Sequence, residues 1–256
     1  MSLSSSTAIY AVDVPGDESD YEEETISSEA SQEYMPSVAP LQPDHYWENV
    51  VFQVENAFFK VPTYHFVTQS EVFADMLSLP QGQVAATEGQ SRENPIVLPI
   101  TEQDFRRLLR ALYPLEAPRS PTFSKEELVS LLKLSKLWAM KRVREYAVEK
   151  ITEILYSIDA TERIILAREY SVETWLRSGY LTLATRYPVV SIEDAKLIGW
   201  ETALLLEHVR EEAYASLGGS RMGRGSLSEN QVQSGVENKF REEFRDIRMS
   251  EAAYRV

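Results

Sequence analysis

Glu48-Asn-Val-Val-Phe-Gln-Val-Glu-Asn-Ala-Phe-Phe-Lys-Val-Pro-Thr-Tyr-His-Phe-Val-Thr-Gln-Ser-Glu-Val-Phe-Ala-Asp-Met-Leu-Ser-Leu79 reads as a strand, a turn, a second strand and a short helix. Val50, Phe52 and Val54 alternate with Val51, Gln53 and Glu55, the period of two that sends one set of side chains to a core and the other outward. Asn56-Ala57 falls between this strand and Phe58-Phe-Lys-Val61, and asparagine tolerates the left-handed backbone of a tight hairpin. Pro62 has no amide to donate and closes the second strand. Ser70 then offers a side-chain oxygen to the free amides of a helix that carries Phe73, Met76 and Leu77 on one face.

Outward from this stretch, Leu79-Pro-Gln-Gly82 begins a polar loop that reaches Glu93-Asn94, and Ile96-Val-Leu98, bordered by Pro95 and Pro99, suits a short buried or edge strand. Thr101 caps a helix through Phe105, Leu108, Leu109 and Leu112, with Asp104 placed like the acid of a capping box. Tyr113-Pro114 closes it. Ser124 with Glu127 forms a second capping box before Leu128, Leu131, Leu132 and Leu134. A further helix carries Val143, Ala147 and Ile151, and its Lys141, Arg142, Arg144, Glu145, Glu149 and Lys150 read as a solvated face of mixed sign.

From Ile158 to about residue 217 only helical signals occur. Asp159 opens one helix, Trp175 and Leu176 lie in a second, and Ser191 with Asp194 starts a third through Leu197, Leu204 and Val209, which Gly199 kinks or breaks. Gly218-Gly-Ser-Arg-Met-Gly-Arg-Gly-Ser226 lacks the preceding strand and the Lys-Ser/Thr end of a phosphate loop, so it reads as a linker. Beyond it, Phe240, Phe244 and Ile247 mark an amphipathic helix, compatible with standing alone, docking on the body or binding a partner. The expected organisation is an acidic tail at 1–45, an α+β unit at 46–156, a helical extension at 157–217, a linker at 218–230 and a C-terminal helix at 231–256.

The 256 residues carry 26 bases and 40 acids, a net charge of -14, yet residues 1 to 49 hold eleven of the acids and no Lys or Arg. A Ser-rich acidic tail cannot bury enough apolar surface to offset an ordering cost of roughly 1 to 2 kcal/mol per residue, so disorder is its expected state. Solubilisation is the plain role for it, and Ser19-Asp-Tyr-Glu22 would place a phosphorylation site among acids. Such charge argues against direct nucleic-acid binding. There is no cysteine, which excludes disulfides, thiolate metal sites and a cysteine nucleophile. No long apolar run and no signal-peptide pattern is present, which predicts an intracellular protein, cytoplasmic and/or nuclear, with no membrane partner.

Chemistry is hard to find. His45, His65 and His208 form no metal-like pair, no G-x-S-x-G elbow or G-x-G-x-x-G fingerprint occurs, and Glu211 and Glu212 project apart on a helix. Trp138, Trp175 and Trp200 sit among apolar residues at helical spacing and read as core anchors. No catalytic, cofactor or metal residue is predicted. The enzyme alternative is a polar pocket between the α+β unit and the helical block.

Val50-Val-Phe-Gln-Val-Glu-Asn-Ala-Phe-Phe-Lys-Val61, Phe66, Ser70-Glu-Val-Phe73, Ile96-Val-Leu98, Phe105-Arg-Arg-Leu-Leu-Arg-Ala-Leu-Tyr113 and Leu131-Leu-Lys-Leu-Ser-Lys-Leu-Trp138 together resemble a BTB/POZ domain. The acidic start, Phe-Gln-Val-Glu and Val-Pro-x-Tyr-His-Phe also resemble a lineage abundant in mushroom-forming fungi. In that lineage a helical region like the one with Trp175-Leu176, Arg186 and Val209-Arg-Glu-Glu212 follows, similar to a BACK-type extension. The resemblance implies a small sheet flanked by helices, used for homodimerisation or for docking other proteins, without catalysis. Many such proteins are substrate adaptors of cullin-type ubiquitin ligases, and others act as transcription-associated scaffolds. It further implies that residues 44 to 79 carry dimer contacts, with Tyr46, Trp47, Tyr64, His65, Phe66 and Pro114 as the candidate interaction surface. Pro62 stands where many members have His, Thr63 where they often have a basic residue, and Tyr113-Pro114 replaces the common Tyr-Thr-Gly. The first two changes disfavour the charged pocket of repressor members, and the third alters a helix end near the surface cullins use.

Overall fold

A computed structural model describes residues 47–78, 88–114, 121–215 and 229–254. The expected acidic tail, Tyr46 and most of the expected linker lie outside the described residues.

Strands β1 (Asn49–Val54) and β2 (Ala57–Pro62) form the antiparallel hairpin, with Phe52 opposite Phe59 and Val54 opposite Ala57. The left-handed backbone falls on Glu55, with φ 52°, so the turn is Glu55-Asn56, one residue earlier than Asn56-Ala57. Strand β3 (Ile96–Leu98) adds parallel to the other edge of β1, giving the order β2-β1-β3. Val50, Phe52 and Val54 enter the core as their period predicts, and Val51 is buried as well, its amide donating to the Gly89 carbonyl at 2.6 Å.

Helices α1 (Tyr64–Gln69), α2 (Glu71–Ser78), α3 (Glu102–Leu112), α4 (Lys125–Leu137) and α5 (Lys141–Glu153) accompany the sheet. The ring of Phe52 lies 5.1 Å from Phe66, 5.7 Å from Phe73 and 5.6 Å from Phe105, and Phe73 meets Trp138 edge-on at 5.0 Å. Ser70 Oγ accepts from the Phe73 amide at 3.1 Å and donates to the Trp138 carbonyl at 2.6 Å, so the residue that starts α2 also ties it to the end of α4. Ser124 and Glu127 make the reciprocal capping box. Thr101 caps α3 by accepting from the Asp104 amide, but the Asp104 carboxylate does not reciprocate. It crosses to α4, accepting from Ser130 at 2.6 Å and Lys133 at 2.7 Å, and so fastens two helices together.

Six helices follow: α6 (Ala160–Tyr170), α7 (Glu173–Thr185), α8 (Ile192–Ile198), α9 (Trp200–Ala215), α10 (Glu229–Lys239) and α11 (Arg241–Ala252). The helix expected from Ser191 is therefore two helices, because Gly199 adopts φ 96° and ends the first of them. Gly179 lets α7 approach α6, since a Cβ there would stand 2.6 Å from Ile164 Cγ1. The C-terminal segment is a pair of helices beginning at Glu229, inside the expected linker, and it docks on α7 and α9, with the Tyr180 and Phe240 rings 4.2 Å apart. One contiguous apolar core runs from β1 to α11. Among the described residues, no helix is long and apolar enough to cross a membrane.

Candidate functional site

The expected interaction surface begins where the hairpin hands over to α1. The Thr63 amide and hydroxyl both donate to the Glu48 carbonyl, at 2.8 and 3.2 Å, which pins the start of α1 against the start of β1. That junction brings Trp47, 52% exposed, onto Tyr64, 50% exposed, in a stack with ring centroids 6.2 Å apart. The aromatic row continues from Tyr64 to His65 at 5.2 Å and from His65 to Tyr113 at 5.0 Å. Pro114, exposed, follows Tyr113 at the end of α3.

Two titratable groups in this row are displaced by burial. The Tyr113 phenol is pushed up to about 12, and its hydroxyl donates to the Pro62 carbonyl. The His65 imidazole is lowered from its ordinary value, which favours a neutral ring, and its Nδ1 is 3.2 Å from Gln69 Nε2, which donates to it. Pro62 and Thr63 thus serve the backbone joint between hairpin and helix: one supplies a carbonyl to Tyr113, the other closes onto Glu48.

Phe66 does not belong to this surface. It is 0% exposed, its ring lying 4.9 Å from Phe73 and 5.1 Å from Phe52. Residues two apart on an α-helix project about 200° from one another, so a helix that turns Tyr64 outward must turn Phe66 inward. The same geometry identifies a surface residue that the sequence reading missed: Val67, three positions after Tyr64 on α1, is exposed. Beside it is a cavity of about 290 Å³ lined by Asn49, Thr63, Val67, Ala74 and Leu77, among others. Trp47, Tyr64, Val67 and this cavity present apolar surface with polar residues at the border, a composition suited to a protein contact.

Two further cavities, of about 450 and 380 Å³, lie where β3 meets α3 and along α10. None of these three cavities is lined by both the α+β unit and the helical block. Among the described residues, no group of three or more His, Asp or Glu side chains is gathered as a metal-binding set.

Of the three tryptophans read as core anchors, Trp138 and Trp175 are buried. Trp200 is not: it is 61% exposed at the first position of α9. Spacing in the sequence shows that a helix has an apolar stripe but not which stripe is covered, and α9 has two. Leu206, Val209 and Ala213 face the core, and Trp200 and Leu204 face solvent.

Compared with models of protein families, residues 41–155 match the BTB/POZ domain, under half of the chain. No curated protein matches the chain.

Proposed function

Since residues 41–155 form a BTB/POZ domain, a unit that supports protein–protein interaction, we propose that the chain is a non-enzymatic module that self-associates through its Trp47–Tyr64 face and presents other surfaces to protein partners. The observation that carries this reading is the exposed stack of Trp47 on Tyr64, extended by Val67 and the adjoining cavity. Large rings held in place before contact lose little conformational freedom on binding, which suits them as interface anchors. Light scattering on the full chain tests it. The chain should run at twice its own mass at tens of micromolar, and Trp47→Ala with Tyr64→Ala should return it to a monomer without loss of helical signal. A wild-type chain that stays monomeric at that concentration overturns the self-association reading.

The finer reading is a substrate adaptor of a cullin-type ubiquitin ligase, intracellular, with residues 157–217 as a BACK-like extension and the chain drawn from the fungal lineage its sequence resembles. The departure at Tyr113-Pro114 bears on it directly, because Tyr113 ends α3 while its hydroxyl is committed to the Pro62 carbonyl. Recovery of a cullin with the tagged full chain supports the adaptor. Recovery of transcriptional regulators without any cullin favours the scaffold alternative.

A further inference from the structure

The corner between α8 and α9 exposes three large apolar side chains in succession: Leu197 at 63%, Trp200 at 61% and Leu204 at 63%. Gly199, with φ 96°, sets the turn that places the end of α8 beside the start of α9. Trp200 and Leu204 are one helical turn apart and share a face. This face lies outside residues 41–155 and plays no part in the self-association proposed above. Isolated exposed leucines are ordinary on soluble proteins, but a tryptophan between two of them on one corner is a patch.

The charge around the patch selects among occupants. On α9 the exposed fixed charges are Glu201, Glu211 and Glu212, while the one arginine, Arg210, is buried. Glu212 also pairs with Lys239 at 3.0 Å. On α8, Glu193 and Lys196 are exposed. A second copy of the same face would set glutamates against glutamates, and an anionic bilayer would meet the same repulsion. The chain's own first 49 residues, with eleven acids and no Lys or Arg, would be repelled likewise. An amphipathic helix with an apolar stripe and flanking lysines or arginines matches on both counts, leucine-type anchors against Trp200 and Leu204, and cations over Glu201 and Glu211.

We propose that the Leu197–Trp200–Leu204 face is a docking site for a basic amphipathic helix of another protein. The probe is a synthetic peptide of about 18 residues, long enough to be helical when bound, with leucines at helical spacing and lysines beside them. A control peptide replaces every lysine with glutamate. Trp200 reports the contact, because burial of an exposed indole shifts its emission to the blue, and Trp200→Phe identifies that share of the signal. The lysine peptide should bind the full chain saturably and the glutamate peptide should not. Glu201→Lys with Glu211→Lys, and separately Leu197→Ala with Leu204→Ala, should each weaken binding at least about tenfold, a change of about 1.4 kcal/mol. All four side chains are exposed, so the folded chain should be retained. Val97→Ala, on the exposed side of β3, should leave binding unchanged. Equal binding of the two peptides, binding indifferent to the corner substitutions, or no saturable binding overturns the proposal. So does a Trp200→Ala chain that dissociates where wild type associates, since that would make a second copy the occupant.

Discussion

Around the sheet, Phe52, Phe66, Phe73, Phe105 and Trp138 close on one another with centroids between 4.9 and 6.3 Å apart, and their interior needs few polar atoms. In the helical half, and where α5 meets it, the interior is crossed by arginines. Arg144 Nη2 donates to the Tyr170 carbonyl at 2.7 Å and lies over the Tyr254 ring. Arg163 reaches the Ile158 carbonyl at 2.8 Å and the Ser178 and Thr182 hydroxyls at 3.1 Å. Arg210 donates to the Arg186 carbonyl at 2.7 Å, and Arg168 joins the Ile198 carbonyl, Tyr180, Thr202 and Glu243.

Many of these acceptors are carbonyls at the C-terminal ends of helices: Tyr170 and its neighbour Ser171 at the end of α6, Ala184 and Arg186 at the end of α7, Ile198 at the end of α8. Such carbonyls have no partner within their helix and carry its negative end. A buried guanidinium satisfies several of them together, so Arg144, Arg163 and Arg210 are buried with no carboxylate among the described residues hydrogen-bonded to them. The aromatic half is held by shape, the helical half by the ends of its helices.

Removing one ring tests the first half most severely. Phe73 is fully buried and touches Phe52, Phe66 and Trp138. Phe73→Ala should cost about 3 to 5 kcal/mol in urea denaturation, from lost transfer energy and the cavity left behind. An unchanged midpoint would mean that the rings do not hold this half.

The helical half should give way to a smaller, polar change. Arg163→Met keeps most of the stem and deletes the guanidinium, leaving the Ile158 and Tyr156 carbonyls without that donor. The expected loss is about 1.5 to 3 kcal/mol, the usual range for hydrogen bonds to a charged group. Because the acceptors are neutral, the loss should be nearly independent of salt, and Arg163→Lys should recover little of it, lacking the planar fork. A neutral or stabilising Arg163→Met would break the comparison.

The contrast also marks what the sequence could reveal. The strands, the Ser124 and Ser191 capping boxes and the break at Gly199 were legible because each is written in residues within a few positions of one another. The buried arginines were not. Arg144, read among a solvated face, finds its acceptor 26 residues away in a backbone carbonyl, and a carbonyl leaves no mark in the sequence. Asp104 misled in a related way, since its place three residues after Thr101 suits a cap while its shortest side-chain bonds reach Ser130 and Lys133 on α4. Of the candidate surface, Trp47, Tyr64, His65 and Pro114 fall on one exposed or half-buried row. Phe66 is buried, because on a helix the residue two positions after the outward-facing Tyr64 turns inward.

The smallest effect concerns how α11 is held. Glu173, the first residue of α7, accepts from Arg248 Nε and Nη2 at 2.6 and 2.7 Å and from Arg177 Nη2 at 2.6 Å. The Arg248 bonds, with those of Arg177 behind them, hold its carboxyl at about 2 against an ordinary 4.5, outweighing the opposing effect of burial. A carboxylate whose pKa is depressed by folding binds fewer protons in the native state than in the unfolded one, so its contribution is full above 4.5 and is lost as pH falls from there towards 2. Arg248 is largely exposed, which limits the contribution to about 1 kcal/mol at neutral pH. Glu173→Gln should therefore lower stability at pH 7 by about that amount, and the gap between variant and wild type should narrow steadily below pH 4.5. Denaturation curves at a series of pH values read this directly. A gap that stays constant down to pH 2 would place the interaction of α11 with α7 in the apolar contacts of Phe244 and Ile247, which would make the docked C-terminal helix resemble the aromatic half more than the arginine-crossed one.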